Sequence, residues 1–167
     1  MAIELIAKIA PKNDGFTGMV DADQVIGGGA AGTLLDACVA ASNVLQHVKV
    51  CDIAFIIDGG GAAIIAGEKG HIEVPFACTI TRATSLADQS GSIVVDIWKD
   101  SYANFPPTNA DTITSATPPT ITTATKAQDS TLTSWTTAIT AGDVLAYNVD
   151  SCTDIERVTI SLTMERT

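Results

Sequence analysis

The stretch ERVTISLTMER, residues 156–166, decides the fold. Val158, Ile160, Leu162 and Met164 take every second position, and Arg157, Thr159, Ser161 and Thr163 stand between them. Successive side chains of a strand point to opposite faces, so this spelling predicts a strand with one buried and one wet face. Its neighbours extend the pattern. VLAYNVDS (144–151) reads as a further strand, set between the turns AGD (141–143) and CTDI (152–155). Upstream, VCDIAFIID (50–58) is a buried-strand signal closed by the turn cluster DGGG (58–61).

Between these, AAIIA (62–66) reads as a strand, GEKG (67–70) as a turn and HIEVPFACTITRA (71–83) as a strand. SLADQSGS (85–92) reads as another turn. SIVVDIWKDSYANF (92–105) is a long strand that Pro106 and Pro107 stop, because proline cannot donate to a ladder. Residues 108–140 are rich in threonine, a β-branched residue suited to exposed strand faces. Ile113, Ile121, Leu132, Trp135 and Ile139 recur as apolar anchors, which favours short strands and loops over a Ser/Thr/Pro stalk. Strands at short intervals with turn chemistry between them predict an all-β chain, an antiparallel β-sandwich or jelly-roll-like domain over residues 50–167.

Residues 1–49 differ in character. They predict an extended, apolar N-terminal arm carrying Ile3, Leu5, Ile6, Ile9, Phe16, Val20 and Val25, with a hinge at Gly27, Gly28, Gly29 and Gly32. Leu34, Cys38, Ala41, Leu45 and Val48 fit one helical face, and the same stretch fits an extended run along a partner. The opening MAIELIAKIAPK has no basic leader and carries Glu4 and Lys8 within its apolar stretch, so it does not read as a signal peptide.

Composition sets limits. The 167 residues are 46% hydrophobic and 17% charged, which argues against disorder and for surfaces that meet partners. A net charge of −10 repels phosphate backbones and anionic lipids, so no nucleic acid is expected, and no apolar run reaches the length that membrane insertion needs. Cys38, Cys51, Cys78 and Cys152 form no CxxC pair and are expected as free, buried thiols.

One motif points elsewhere. VIGGGAAG (25–32) spells G-x-G-x-x-G at Gly27, Gly29 and Gly32, with Asp52 twenty residues further on, as in a nicotinamide or flavin site. The strand that should precede it contains Asp21, Asp23 and Gln24, and no further strand–helix alternation follows. No cofactor is expected. His47 and His71 lie in no metal-ligand spacing, and His71 is expected to pair with Glu73 at the surface. DADQ (21–24) falls short of a calcium loop, and no serine has a GxSxG elbow, so neither a metal nor a catalytic residue is expected. Asp58, Asp88, Asp143 and Asp150 are expected as turn residues. Trp98, Tyr102, Trp135 and Tyr147 could line a sugar site, although core and rim positions suit them better.

The residues also carry a resemblance. FIIDGGGAAIIAGEKGHIEVPFACTITRATSLADQSGSIVVDIWKDSYANFPPT (55–108), KAQDSTLTSWTTAITAGDVLAYNVDS (126–151) and RVTISL (157–162) resemble a β-domain of tailed-phage structural proteins: fibres, spikes and head-decoration proteins. IAPKNDGFTGMVDADQVIGGG (9–29) looks like the lead-in of phage fibre-type proteins. Thr84 and Ala146 depart from the pattern, which bears on the exposed surface. The resemblance implies a virion protein made in the host cytoplasm, a homotrimer without cofactor or catalytic residues. A short chain with an apolar arm and a β-knob suits a capsid decoration (cement) protein bound to the major capsid protein or other virion proteins. A tail-fibre, head-fibre or spike tip, binding a host surface glycan through loops such as residues 100–125, is the alternative; a small dinucleotide-binding enzyme is a remote third.

Overall fold

The C-terminal alternation is realised as an inner and an outer face. In the computed structural model, which describes residues 49–167, the strands are β1 (Val50–Asp58), β2 (Gly67–Val74), β3 (Cys78–Ser101), β4 (Thr120–Asp129), β5 (Ala138–Ile139), β6 (Asp143–Thr153) and β7 (Arg157–Arg166). Val158, Ile160, Leu162 and Met164 of β7 are fully buried, each contributing about 1.5–3 kcal/mol. The domain is all-β and antiparallel. One sheet of order β1-β7-β3-β6-β2, with β4 and β5 also on β3, supplies the opposed faces expected of a sandwich. The arm positions Ile3 to Val25, the hinge glycines 27–29 and 32, Cys38 and His47 lie outside the described residues.

β3 makes this possible by being 24 residues long. Cys78 to Ala87 pair with β7, and Ser92 to Ser101 pair with β6, so one strand serves two halves of the sheet. The pairing partner changes around Gly91. A Cβ there would collide with the Thr153 carbonyl and come within 2.7 Å of Ile155 Cγ1, so only glycine lets β3 run this close to the β6–β7 connection. β4 bends at the same level: its register against β3 shifts on both sides of Gly91–Ala124, and Thr123 adopts φ 46°.

The bend folds the sheet over itself. Phe55 of β1 stacks on Tyr147 of β6, ring centroids 4.3 Å apart and planes 3° apart, although β7 and β3 stand between those strands in the sheet order. Gly70 of β2, at φ 146°, leaves room for the Phe55 ring, which lies 3.1 Å from where a Cβ would sit. The enclosed core includes Ile80, Ile97, Leu145, Ile160 and Leu162. The four smaller anchors read from the threonine-rich segment, Ile113, Ile121, Leu132 and Ile139, are buried as expected, and Trp135 is half-buried against the core.

Four local readings are corrected. GEKG is part of β2, whose bulge between Glu68 and Gly70 uses the glycines that spelled a turn. SLADQSGS lies within β3: Asp88, Gln89 and Ser90 are polar because the strand is exposed there, and the chain does not reverse. AAIIA forms no strand, and the 71–83 stretch breaks at residues 75–77 into β2 and β3.

The Phe55–Tyr147 stack gives a paired prediction. Phe55→Ala should cost about 3 kcal/mol of unfolding free energy, read by urea denaturation. The Tyr147 hydroxyl is buried without a hydrogen-bond partner, and burial holds this phenol above its ordinary pKa. Tyr147→Phe should therefore leave stability unchanged or raise it by about 1 kcal/mol.

Candidate functional site

The outer face of the second half of β3 is covered by its own loops. Asp96, Trp98 and Asp100 alternate outward along β3, and residues 102–119 fold across them. Asp96 is 7% exposed and accepts hydrogen bonds from Trp98 Nε1 (2.7 Å), Thr112 Oγ1 (2.7 Å), Thr114 Oγ1 and the Ile97 amide (2.8 Å). A buried carboxylate with this many donors is a structural pin. It locks the covering loop to β3, aided by the Ile113 amide on the Ile97 carbonyl (2.9 Å). Asp100 holds Asn104 (3.1 Å) in the 3-10 turn Tyr102–Asn104. Phe105 meets His71 edge to face at 4.7 Å. His71 Nε2 lies 3.1 Å from Glu68 without hydrogen-bond alignment, so the expected pairing with Glu73 gives way to Glu68 and Phe105.

The other carboxylates also serve the backbone. Asp58, last in β1, accepts the Gly60 amide (2.7 Å), and Asp143, first in β6, accepts the Thr140 amide (2.8 Å) while meeting Lys99 at 3.3 Å, so each bonds the turn that adjoins its strand. Asp88 and Asp150 are corrected: each lies inside a strand. Asp88 accepts the Arg157 amide across to β7 (3.1 Å), and Asp150 accepts the Asn148 side chain (2.7 Å). Asp111 caps its 3-10 turn by accepting the Thr108 amide and hydroxyl, both at 2.8 Å. Cys51, Cys78 and Cys152 are free; Cys78 is buried, the others half-buried, and burial raises the thiols of Cys78 and Cys152. Asp52 lies exposed on β1, whose neighbour β7 runs antiparallel to it, unlike the parallel strands of a dinucleotide site. Ala146 is fully buried and so contributes nothing to the exposed surface. Among the described residues, no group of three His, Cys, Asp or Glu side chains is placed to hold a metal ion, and no helix is long and apolar enough to cross a membrane.

A groove opens where the first half of β3 and β4 meet the loops that carry residues 117–119 and Trp135. It has a volume of about 170 Å³ and is lined by Ser85 of β3, Gln128 and Asp129 of β4, Pro118 and Thr120, and Trp135. Trp135 is fixed by its Nε1–H, which donates to the Thr117 carbonyl at 2.9 Å. Thr117 Oγ1 donates to the Thr133 carbonyl at 2.7 Å, so two loops are tied across the groove's rim. Of the four aromatics singled out in the sequence, Trp135 alone lines this groove; Trp98 donates to Asp96, Tyr147 is core and Tyr102 is 78% exposed. Trp135 was visible in the sequence as an apolar anchor. Its meeting with β3 and β4 is tertiary.

No family model matches the chain, and neither a curated protein nor a solved structure matches it.

Asp96→Ala should destabilise the domain by about 3 kcal/mol, because Trp98, Thr112 and Thr114 lose their buried acceptor. Asp96→Asn, which keeps one acceptor oxygen, should lose less; denaturant titration separates them. Hydrogen bonds from the backbone, of Arg157 and Thr108 respectively, depress the carboxyl pKa of Asp88 and Asp111. A depressed folded-state value means stabilisation that is present above the unfolded value and lost as pH falls through the folded one. Stability should thus hold near neutrality and fall below pH about 4. Asp111→Asn should make that fall shallower in acid-denaturation curves.

Proposed function

We propose that this chain is a non-enzymatic structural protein of a tailed-phage particle, a head decoration or cement protein. Residues 50–167 form its β-knob, and residues 1–49 are its arm. The observation that carries this reading is the use of the polar side chains. Asp58, Asp88, Asp96, Asp111 and Asp143 all hold backbone or loops in place, which is the economy of a scaffold. The resemblance of residues 50–167 to the β-domain of phage structural proteins supports it, as does an apolar content of 46% in an acidic chain. In this reading three knobs associate as a homotrimer, and the arms bury apolar side chains such as Ile3, Leu5, Ile6, Ile9, Phe16, Val20 and Val25 against the major capsid protein. Three arms per trimer add by avidity.

A second reading, a tail-fibre, head-fibre or spike tip, is favoured by the groove at Trp135, a recognition-type feature on a rigid sheet. Location separates the two. Labelled protein at many capsid sites supports the cement reading, and label at a few tail or vertex sites supports the fibre. A dinucleotide enzyme would retain nucleotide on purification.

Deletion of residues 1–30 should leave a folded knob, with its thermal unfolding transition kept, that no longer joins particles. Incorporation at the level of the full chain, measured on purified particles, would overturn the cement role.

A further inference from the structure

We propose that the groove beside Trp135 is a binding site for a neutral saccharide. The inference goes beyond the cement reading and deepens the fibre reading; it holds wherever on a particle the chain resides.

The backbone of the groove is already committed. Ala83 pairs with Leu162 on one side and Asp129 on the other, and Ser85 pairs with Ile160 and Ala127. With both edges of β3 occupied there, an extended peptide cannot add to β3, and recognition inside the groove falls to side chains. Those side chains offer more acceptors than donors, the donors being the Ser85 hydroxyl and the second amide hydrogen of Gln128. Thr120 Oγ1 spends its proton on the Pro118 carbonyl (2.8 Å), and Thr117 Oγ1 spends its own on the Thr133 carbonyl. Gln128 gives one amide hydrogen to Thr84 Oγ1 (2.9 Å), leaving its carbonyl oxygen as an acceptor and its second N–H as a donor. Asp129 holds the amides of Thr131 and Leu132 through Oδ1, leaving Oδ2 as an acceptor.

The complement of such a mixed lining is a ligand whose hydroxyls both donate and accept and that also carries apolar surface for Trp135 and Pro118. Sugar rings present both: hydroxyls around the rim and C–H groups on the faces. Aromatic rings with a few oriented polar groups are the usual composition of a small-ligand site. The volume of about 170 Å³ suits one ring, with the rest of an oligosaccharide outside it. Charge excludes sialylated and sulfated sugars, because Asp129 and a chain of net charge −10 repel anions.

The test is a glycan array of neutral, sialylated and sulfated oligosaccharides probed with the full chain, followed by calorimetric titration of the strongest neutral hit. Neutral glycans should bind, and acidic ones should not. Gln128 is exposed, so Gln128→Ala should leave the thermal transition in place and weaken binding roughly fivefold, the worth of one hydrogen bond. Trp135→Ala should abolish binding, and Trp135→Phe, which keeps a ring, should restore part of it. Array signal confined to acidic glycans, no signal at all, or an affinity indifferent to both Gln128→Ala and Trp135→Phe would overturn the assignment. So would tighter binding of an arginine-rich peptide, run as a parallel titration, since a cation also suits Trp135 beside Asp129.

Discussion

The domain depends on one strand belonging to two halves of a sheet. β3 gives its first half to β7 and its second to β6. Whatever bends it determines where β1 and β2 arrive. At Gly91 the backbone lies where a side chain would strike the Thr153 carbonyl. Because β4 bends at the same level, the two strands turn together and keep their pairing on either side. The Phe55–Tyr147 stack is a consequence of that bend, bringing together strands that the sheet order separates. Burying Tyr147 leaves its hydroxyl without a partner. The ring area gained outweighs that loss, since a buried aromatic contributes several times the net worth of one neutral hydrogen bond.

The same strand organises the loops. Its outer face carries Asp96, which gathers donors from Trp98, Thr112 and Thr114 and so fastens the covering loop. Further along, Pro119 offers its carbonyl to the Val95 amide (3.0 Å), and Ile80 donates to the Thr137 carbonyl (2.9 Å). Loops that would otherwise expose unpaired backbone are thereby bonded to β3. The long residue 102–119 segment is thus part of the fold's surface layer, and two of its buried members, Ile113 and Thr114, are as enclosed as the core.

How much of this the sequence told depends on whether the signal is local. Residues 156–166 were legible because β7 is half-buried, and half-burial writes an alternating code. β1 was legible as an apolar run ended by glycines. β3 was not legible as one strand: at its bend the exposed Asp88, Gln89 and Ser90 have the composition of a turn. Composition reports solvent contact, and a bent strand and a chain reversal share it. β2 was obscured likewise, since Gly67 and Gly70 serve a bulge and a neighbouring ring. The groove had only a partial signature. Trp135 stands out in the sequence as an apolar anchor, yet Ser85 and Gln128 join it only through the β3–β4 pairing.

Threonine links the fold to the groove. A hydroxyl has one proton and two lone pairs. Thr112 and Thr114 give their protons to Asp96, whereas Thr117 and Thr120 give theirs to backbone carbonyls. In each case the donor is consumed in closing a loop and acceptors remain. Where the remaining oxygens face protein, as at Asp96, the result is a pin. Where they line an opening beside an indole, the result is a surface with more acceptors than donors, in contact with water. A threonine-rich segment that folds by satisfying its neighbours' carbonyls therefore builds acceptor-rich grooves as a by-product, and the ligands such grooves favour are uncharged molecules that bring hydroxyl donors of their own.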